Sequence, residues 1–395
     1  MKKIVILLFL YAGIVFGQTS QSIKISPEAT FSVITCGAGN ELYSSFGHSA
    51  FRFKDPVYGY DVVYNYGTFD FDTPLFYVKF ARGKLPYQLG RSSFKRFVAV
   101  YKYEKRWIKE QVLRLTPDQT EQLLAFLETN YEPENRDYKY DFFFNNCATK
   151  IRDVIRENFD NQFIFHQDHL PEKKTFRDLI HDNLDSNSWS SFGIDIALGA
   201  VIDKPVHPDE FQFLPEYVFK AFENATLVDG VTPLVSETEL ILAAPENAHV
   251  KGNFFLSPYF IFSIIALLVF SVTYLDFKKG RRSRWLDTIL LTVIGIAGIV
   301  IFLLWYATDH SATATNMNIW WLFPLTIYWA YQLSTKKQEK RKLWIIPAIL
   351  LFLLLLVLCI WIIDFQQFAL ATIPLLFVLI VRYVYLLYYF RKLAS

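Results

Sequence analysis

Residues 145–155 read Asn145-Asn146-Cys147-Ala148-Thr149-Lys150-Ile151-Arg152-Asp153-Val154-Ile155, and their spacing decides how the first half of the chain folds. Cys147, Ile151, Val154 and Ile155 fall at i, i+4, i+7 and i+8, one face of a helix. The polar pair before Cys147 puts the thiol in the first helical turn, where the helix dipole favours a thiolate. A backbone N–H at that point is also placed to bind an oxyanion. Asn145 and Asn146 either assist that oxyanion or simply cap the helix.

Upstream, Gly47-His48-Ser49-Ala50-Phe51-Arg52 opens a second informative stretch. His48–Phe53 and Asp61–Tyr66 are rich in aromatic and branched residues and are separated by a turn-like Lys54–Gly59, which predicts an antiparallel pair. The glycine before His48 lets another backbone come close. An imidazole and a thiol are the minimum set for nucleophilic acyl transfer: the thiolate attacks a carbonyl and the imidazole carries the proton. A core cysteine and an unrelated strand histidine would be the plainer alternative. The helix-start position of Cys147 favours the catalytic pair. Asn65, on the neighbouring strand beside Tyr64 and Tyr66, is the first candidate to orient His48, though strand packing would suit it equally. Tyr66 is a candidate to shape the site.

Further elements follow from local signals. Phe31–Thr35 reads as a strand, Asn40–Phe46 as one or two helical turns, and residues 96–115 as more strand broken by a turn. Thr116-Pro117 with Gln119 forms a capping box and predicts a helix to about Asn130. Residues 170–225 read as mostly helical over Phe176–Leu184 and Pro215–Phe222, with Trp189 and Gly193 in a connection. A short strand is expected around Leu240–Leu242.

The chain has 395 residues, 52% of them hydrophobic and 18% aromatic, with a mean hydropathy of +0.21. That is too apolar for an ordinary soluble protein. The net charge of +2 gives no basic surface for nucleic acid. Residues 1–17 have the form of a secretory signal peptide, a basic start followed by a short apolar run. Residues 18–252 are then exported, and 253–395 form a membrane domain. Apolar runs near 257–276, 285–306, 319–333, 343–363 and 366–389 are five candidate spans. The segments around Lys278–Arg284 and Lys336–Lys342, and the C-terminal Arg391-Lys392, are basic, whereas 307–318 holds no lysine or arginine. By the positive-inside rule the basic segments and the C-terminus face the cytoplasm, and 18–252 shares the outer side with the His310 loop.

Only three cysteines are present, Cys36, Cys147 and Cys359. Cys36 has no helix start at it and reads as a buried small residue, with a Cys36–Cys147 disulfide as the alternative. His166, His169, His181, His207 and His249 share no metal-ligand spacing, so no metal and no cofactor is expected. Arg52 and Arg152 are candidates to meet phosphate, or pair with carboxylates such as Asp61 and Asp153. His310, Asn316 and Asn318 are candidates to bind a lipid headgroup or shape the site from the outer loop, near Trp320 and Trp321.

The order of histidine on a strand before cysteine at a helix start reverses the papain-like order. It resembles circularly permuted members of that superfamily, such as lecithin:retinol acyltransferase and its NlpC-like relatives, an α+β fold. More specifically, Thr35-Cys36, Tyr43–Arg52, Tyr64–Gly67 and Tyr140–Asp153 look like the Lnb family. The likeness extends to Gly193–Gly199, Phe213-Leu214-Pro215, and Asp309-His310 with Asn316 and Asn318. It implies an exported Cys-His domain fused to an α-helical transmembrane bundle in the bacterial inner membrane. It also implies transfer of a fatty acyl chain from a phospholipid donor to the α-amino group of a diacylglyceryl lipoprotein. A membrane-anchored cysteine peptidase or amidase acting on cell-wall peptide would use the same pair but needs only one span. A non-enzymatic membrane scaffold would need neither residue.

Overall fold

The structure is a computed structural model that describes residues 24–170, 173–245, 252–334 and 343–394. The signal segment expected at 1–17 lies outside the described residues. The first half is built on strands β1 (Thr30–Cys36), β2 (His48–Asp55), β3 (Tyr60–Thr68), β4 (Pro86–Ser93), β5 (Ile108–Leu113), β6 (Asp137–Lys139), β7 (Phe163–Ile164), β8 (Thr226–Leu227) and β9 (Val235–Leu242). Seven of them form one antiparallel sheet in the order β6-β4-β3-β2-β1-β5-β9, and β7 pairs with β8. The helices of this half are α1 (Phe76–Ala81), α2 (Phe94–Tyr103), α3 (Pro117–Tyr131), α4 (Cys147–Asn158), α5 (Phe176–His181), α6 (Trp189–Ala197) and α7 (Pro215–Glu223).

Alternation along the strands gives the sheet two apolar faces. Phe31, Val33, Phe51, Phe53 and Tyr64 pack against Leu123 and Leu127 of α3, Ile151 and Val154 of α4, and Phe222 of α7. Ile34, Cys36, Ala50 and Val63 point the other way, onto Phe94, Phe97 and Tyr101 of α2. Each fully buried side chain of this size stabilises the fold by about 1.5–3 kcal/mol relative to exposure. The β2–β3 hairpin pairs Phe51 with Tyr64 across the expected turn. Thr116 and Gln119 form the expected reciprocal cap of α3.

Two local expectations are corrected. Of the strand expected over 96–115, only β5 is strand; residues 96–103 belong to α2, which Ser93 caps by accepting the Arg96 N–H and whose buried face holds Phe94, Phe97 and Tyr101. A branched and aromatic composition had disguised a 3.6-residue period. The Trp189–Gly193 connection is likewise the start of α6, capped by Ser188.

The second half contains α8 (Pro258–Lys279), α9 (Arg284–Tyr306), α10 (Thr326–Ser334), α11 (Ile345–Ile362) and α12 (Ile373–Ala394). Among the described residues four helical stretches are long and apolar enough to cross a membrane. The fifth candidate, 319–333, is broken into a turn at Met317–Trp320 and the nine-residue α10. Pro324 stands between them, and proline neither donates to a helix nor fits behind its preceding turn. α9 makes room for the break, since a Cβ on Gly298 would lie 1.9 Å from the Leu322 carbonyl oxygen. Irregular backbone inside a bilayer needs such cover from protein. Arg382 of α12, fully buried, bonds Asp287 of α9 at 2.7 Å and Asp276 of α8 at 2.9 Å, tying three helices together.

The two halves meet through the connection that follows α9. Gly199 N–H donates to Ala312 O at 2.9 Å and Ala200 N–H to Thr315 O at 3.1 Å. A Cβ on Gly199 would overlap Ala314 O at 1.9 Å, so only glycine admits this approach. α6 is in turn held by the buried Arg177, which bonds Asp195 and Asp203.

Candidate active site

The site forms where the first residues of β2 meet the first residue of α4. Gly47 has φ +81°, and a Cβ there would lie 2.8 Å from the Cys36 carbonyl oxygen. Glycine is therefore required for the chain to swing into β2 beside β1. Cys36 and His48 then stand as cross-strand partners. A bulge between Asn65 and Thr68 distorts the β3–β4 pairing at the same end of the sheet, a device that re-aims side chains. There the Nε2–H of His48 donates to Oδ1 of Asn65 at 2.5 Å. The Tyr101 ring stacks behind the imidazole at 6.4 Å.

Cys147 opens α4. Its N-cap is Asn146, whose Oδ1 accepts the N–H groups of Ala148 at 2.8 Å and Thr149 at 2.9 Å. The Asn146 amide also donates to Phe142 O and Phe213 O, both at 2.7 Å. The thiol is half-buried beside His48, and the imidazole and the nearby backbone N–H groups of Ser49 and Ala148 favour its thiolate. With Nε2 on Asn65, Nδ1 is the ring nitrogen left for the thiol. Burial works against the thiolate, but the adjacent imidazole and those N–H donors outweigh it and hold Cys147 below the ordinary thiol range. Burial likewise works against the imidazolium, and the Cys147 sulfur with Asn65 holds His48 above its ordinary value. Both shifts point to a thiolate–imidazolium pair.

The remaining candidates sit in different surroundings. Asn145 donates to Lys139 O at 2.7 Å and exchanges backbone bonds with Asp141, so it shapes the loop before α4. Tyr66 is buried in the sheet core, its hydroxyl donating to Asn130 at 2.5 Å. Arg52 is buried between Asp61 and Glu110 and stacks on Phe94. Arg152 bonds Asp153 and Asp209 O. Asn316 and Asn318, fully buried, donate to the carbonyls of Ile196, Ala197 and Asp195 at the end of α6. His310 packs on Gly83 and reaches Ala81 O at 3.2 Å. Geometry thus gathers Cys147, His48 and Asn65 and leaves the arginines and outer-loop residues outside their contact shell.

Cys36 is a free, buried thiol. Burial pushes its pKa up, and Arg106 and Tyr101 only partly offset that. Sequence reading passed over three neighbours of the site. Tyr138 and Tyr140 both feel the Cys147 charge, and Tyr87 stacks on Tyr140 at 4.3 Å. They come from β4, β6 and the loop beyond; Tyr140 opens the stretch that resembles the Lnb family, but no spacing singles out any of the three as a site residue. Gly67, φ +89°, faces Cys147: a Cβ there would stand 3.5 Å from the Cys147 Cβ. Among the described residues no group of three metal-binding side chains occurs.

Fold and site together define a membrane protein whose sheet domain carries a Cys–His pair at a helix start. Compared with known families, residues 19–182 match the Lnb N-terminal periplasmic domain and residues 250–393 match the Lnb transmembrane domain. The chain belongs to the Lnb family, with its periplasmic domain preceding its membrane domain. Searches among curated proteins and among solved structures found no match.

Proposed function

We propose that this protein is a lipoprotein N-acyltransferase that works through a Cys147 thioester. The observation that carries the reading is the His48–Cys147 pair, oriented by Asn65 and held in a periplasmic domain whose α6 is clamped to the loop after α9. In the first half-reaction the Cys147 thiolate attacks an ester carbonyl of a phospholipid. The C–S bond forms, the C–O bond breaks, and the His48 imidazolium gives its proton to the leaving alkoxide. In the second, the α-amino group of a diacylglyceryl-cysteine attacks the thioester. His48 takes the amine proton, the N–C bond forms, and Cys147 leaves as thiolate. An α-amine has a reference pKa of about 8, so a poised imidazole suffices as base.

The Cys147 N–H, at the first position of α4, has no carbonyl within its helix to bond, and it supplies an oxyanion donor in this reading. The domains divide as 18–252 and 253–395, with the first arranged as a permuted papain-like fold. In this reading the bundle lies in the inner membrane, and the basic segments between the spans support a cytoplasmic C-terminus. A peptidase would need the same pair but not a multi-helix bundle. The test is mass spectrometry of a lipoprotein N-terminal peptide from cells carrying the native protein, Cys147→Ser, or neither. A triacylated N-terminus only with the native protein supports the reading, and an unchanged N-terminus in all three overturns it.

A further inference from the structure

The β3–β4 connection, residues 69–85, turns an apolar face outward. Phe71 is 69% exposed, Leu75 73% and Tyr77 79%, with Phe69, Val78 and Phe80 exposed beside them. α1 has no buried residue at all. A contiguous exposed patch of this kind marks a surface that meets something apolar.

Three observations say what it meets. First, the patch is tied to the outer end of a span. Asp309 N–H donates to Arg82 O at 2.9 Å, and His310, three residues beyond the Ala307 cap of α9, packs on Gly83. Second, its charge is divided: Asp70 and Asp72 lie at the β3 end, while α1 and its C-terminal flank, residues 74–86, carry Lys79, Arg82 and Lys84 and no acid, which suits a layer of phosphate headgroups. Third, its inner end is continuous with the site. Phe69 meets Tyr87 edge-on at 5.3 Å, and Tyr87 stacks on Tyr140. Tyr140 in turn lies 3.9 Å from the position a Gly67 Cβ would take, beside Cys147.

We propose that α1 and its flanks lie in the outer leaflet of the bilayer the spans cross, and that this aromatic run leads a phospholipid ester from the leaflet to Cys147. The docking claim stands on the patch; its link to the thiol rests on the acyl-donor reading above. A second copy of the chain, or a protein partner, would have to wedge between α1 and the membrane surface that the Asp309–His310 tether sets beside it.

The test uses the full-length protein in phosphatidylethanolamine–phosphatidylglycerol vesicles. Leu75→Cys in a Cys147→Ser, Cys359→Ala background carries an environment-sensitive dye. Strong quenching by doxyl-labelled lipids with weak quenching by iodide is expected. Strong iodide quenching, or shielding from both quenchers as a protein contact would give, overturns the proposal. A second measurement keeps Cys147 and changes Phe71→Asp with Tyr77→Asp. Iodoacetamide labelling of Cys147 should be unchanged, while hydroxylamine-releasable acyl thioester formed from vesicles falls at least tenfold. Undiminished thioester in that variant overturns the link to Cys147. If the native protein forms no thioester, the acyl-donor reading fails and the quenching result decides the docking claim alone.

Discussion

Oδ1 of Asn65 accepts the Nε2–H of His48 at 2.5 Å, and that bond fixes which face of the imidazole serves the thiol. A ring held as the Nε2–H tautomer presents an unprotonated Nδ1 to Cys147 and becomes a cation when it takes the thiol proton. The bond then strengthens, as hydrogen bonds to charged groups do, to about 1.5–3 kcal/mol.

Asn65→Ala should therefore slow iodoacetamide labelling of Cys147 at neutral pH by roughly tenfold to a hundredfold, the rate equivalent of that energy. Asn65→Asp keeps an acceptor in place and should recover most of the loss. Labelling followed by peptide mass spectrometry separates Cys147 from Cys36 and Cys359. Equal rates in all three proteins would mean that Asn65 only packs the strand.

The pH profile follows from the directions of the two shifts. Cys147 sits below the ordinary thiol value and His48 above the ordinary imidazole value. Labelling should accordingly begin at a lower pH than for an ordinary thiol. Acyl transfer should rise through the lowered Cys147 pKa and fall as pH climbs through the raised His48 pKa, where the proton for the leaving alkoxide is lost. His48→Ala removes the main charge opposing burial, so the thiol titration should move upward and transfer should drop about 10²–10⁴-fold.

Gly47 sets the position of His48. Gly47→Ala places a Cβ 2.8 Å from the Cys36 carbonyl in a left-handed backbone, a conformation that costs an L-residue roughly 1–2 kcal/mol before any clash. Gly59 is also left-handed, at φ +73°, but nothing surrounds its would-be Cβ. Gly59→Ala should lower the melting temperature slightly and leave Cys147 labelling intact. Gly47→Ala should lower it further and slow labelling as well, because the shift passes directly to the imidazole.

The parts of the candidate site were readable because each carries a local mark: an Asn cap and a helical period around Cys147, a glycine before His48, an adjacent strand for Asn65. The β2–β3 pair and the α3 cap were readable for the same reason. What escaped the sequence depends on partners far along the chain. α2 looked like strand because Phe94, Phe97 and Tyr101 are good strand residues, and only the sheet beneath them shows that their spacing is helical. Tyr138 and Tyr140 reach the site through β6, a three-residue strand whose existence depends on β4. Asn316 and Asn318 were legible as polar outer-loop residues, but their carbonyl partners lie some 120 residues earlier.

Those partners give the last prediction. Asn316 Nδ2 donates to Ile196 O at 2.8 Å and Ala197 O at 3.0 Å, and its Oδ1 accepts the Asn318 N–H at 3.0 Å. Asn316 is fully buried and its carbonyl partners are half-buried, so removing the side chain leaves polar groups without partners, at about 1–3 kcal/mol for each group that water does not reach. The sheet core contains none of these residues, so Asn316→Ala should leave Cys147 labelling near its native rate while loosening α6 from the bundle. Proteolysis between α6 and α7 should quicken, and lipoprotein acylation should fall even though the thiol remains reactive. Asn316→Asp sharpens the test. It is nearly the same size, but it turns a donor into a second acceptor facing two carbonyl oxygens, and it adds a buried charge. If the hydrogen bonds hold the two domains in register, Asn316→Asp is the more damaging change. If the residue only fills space, the near-isosteric aspartate is the milder one.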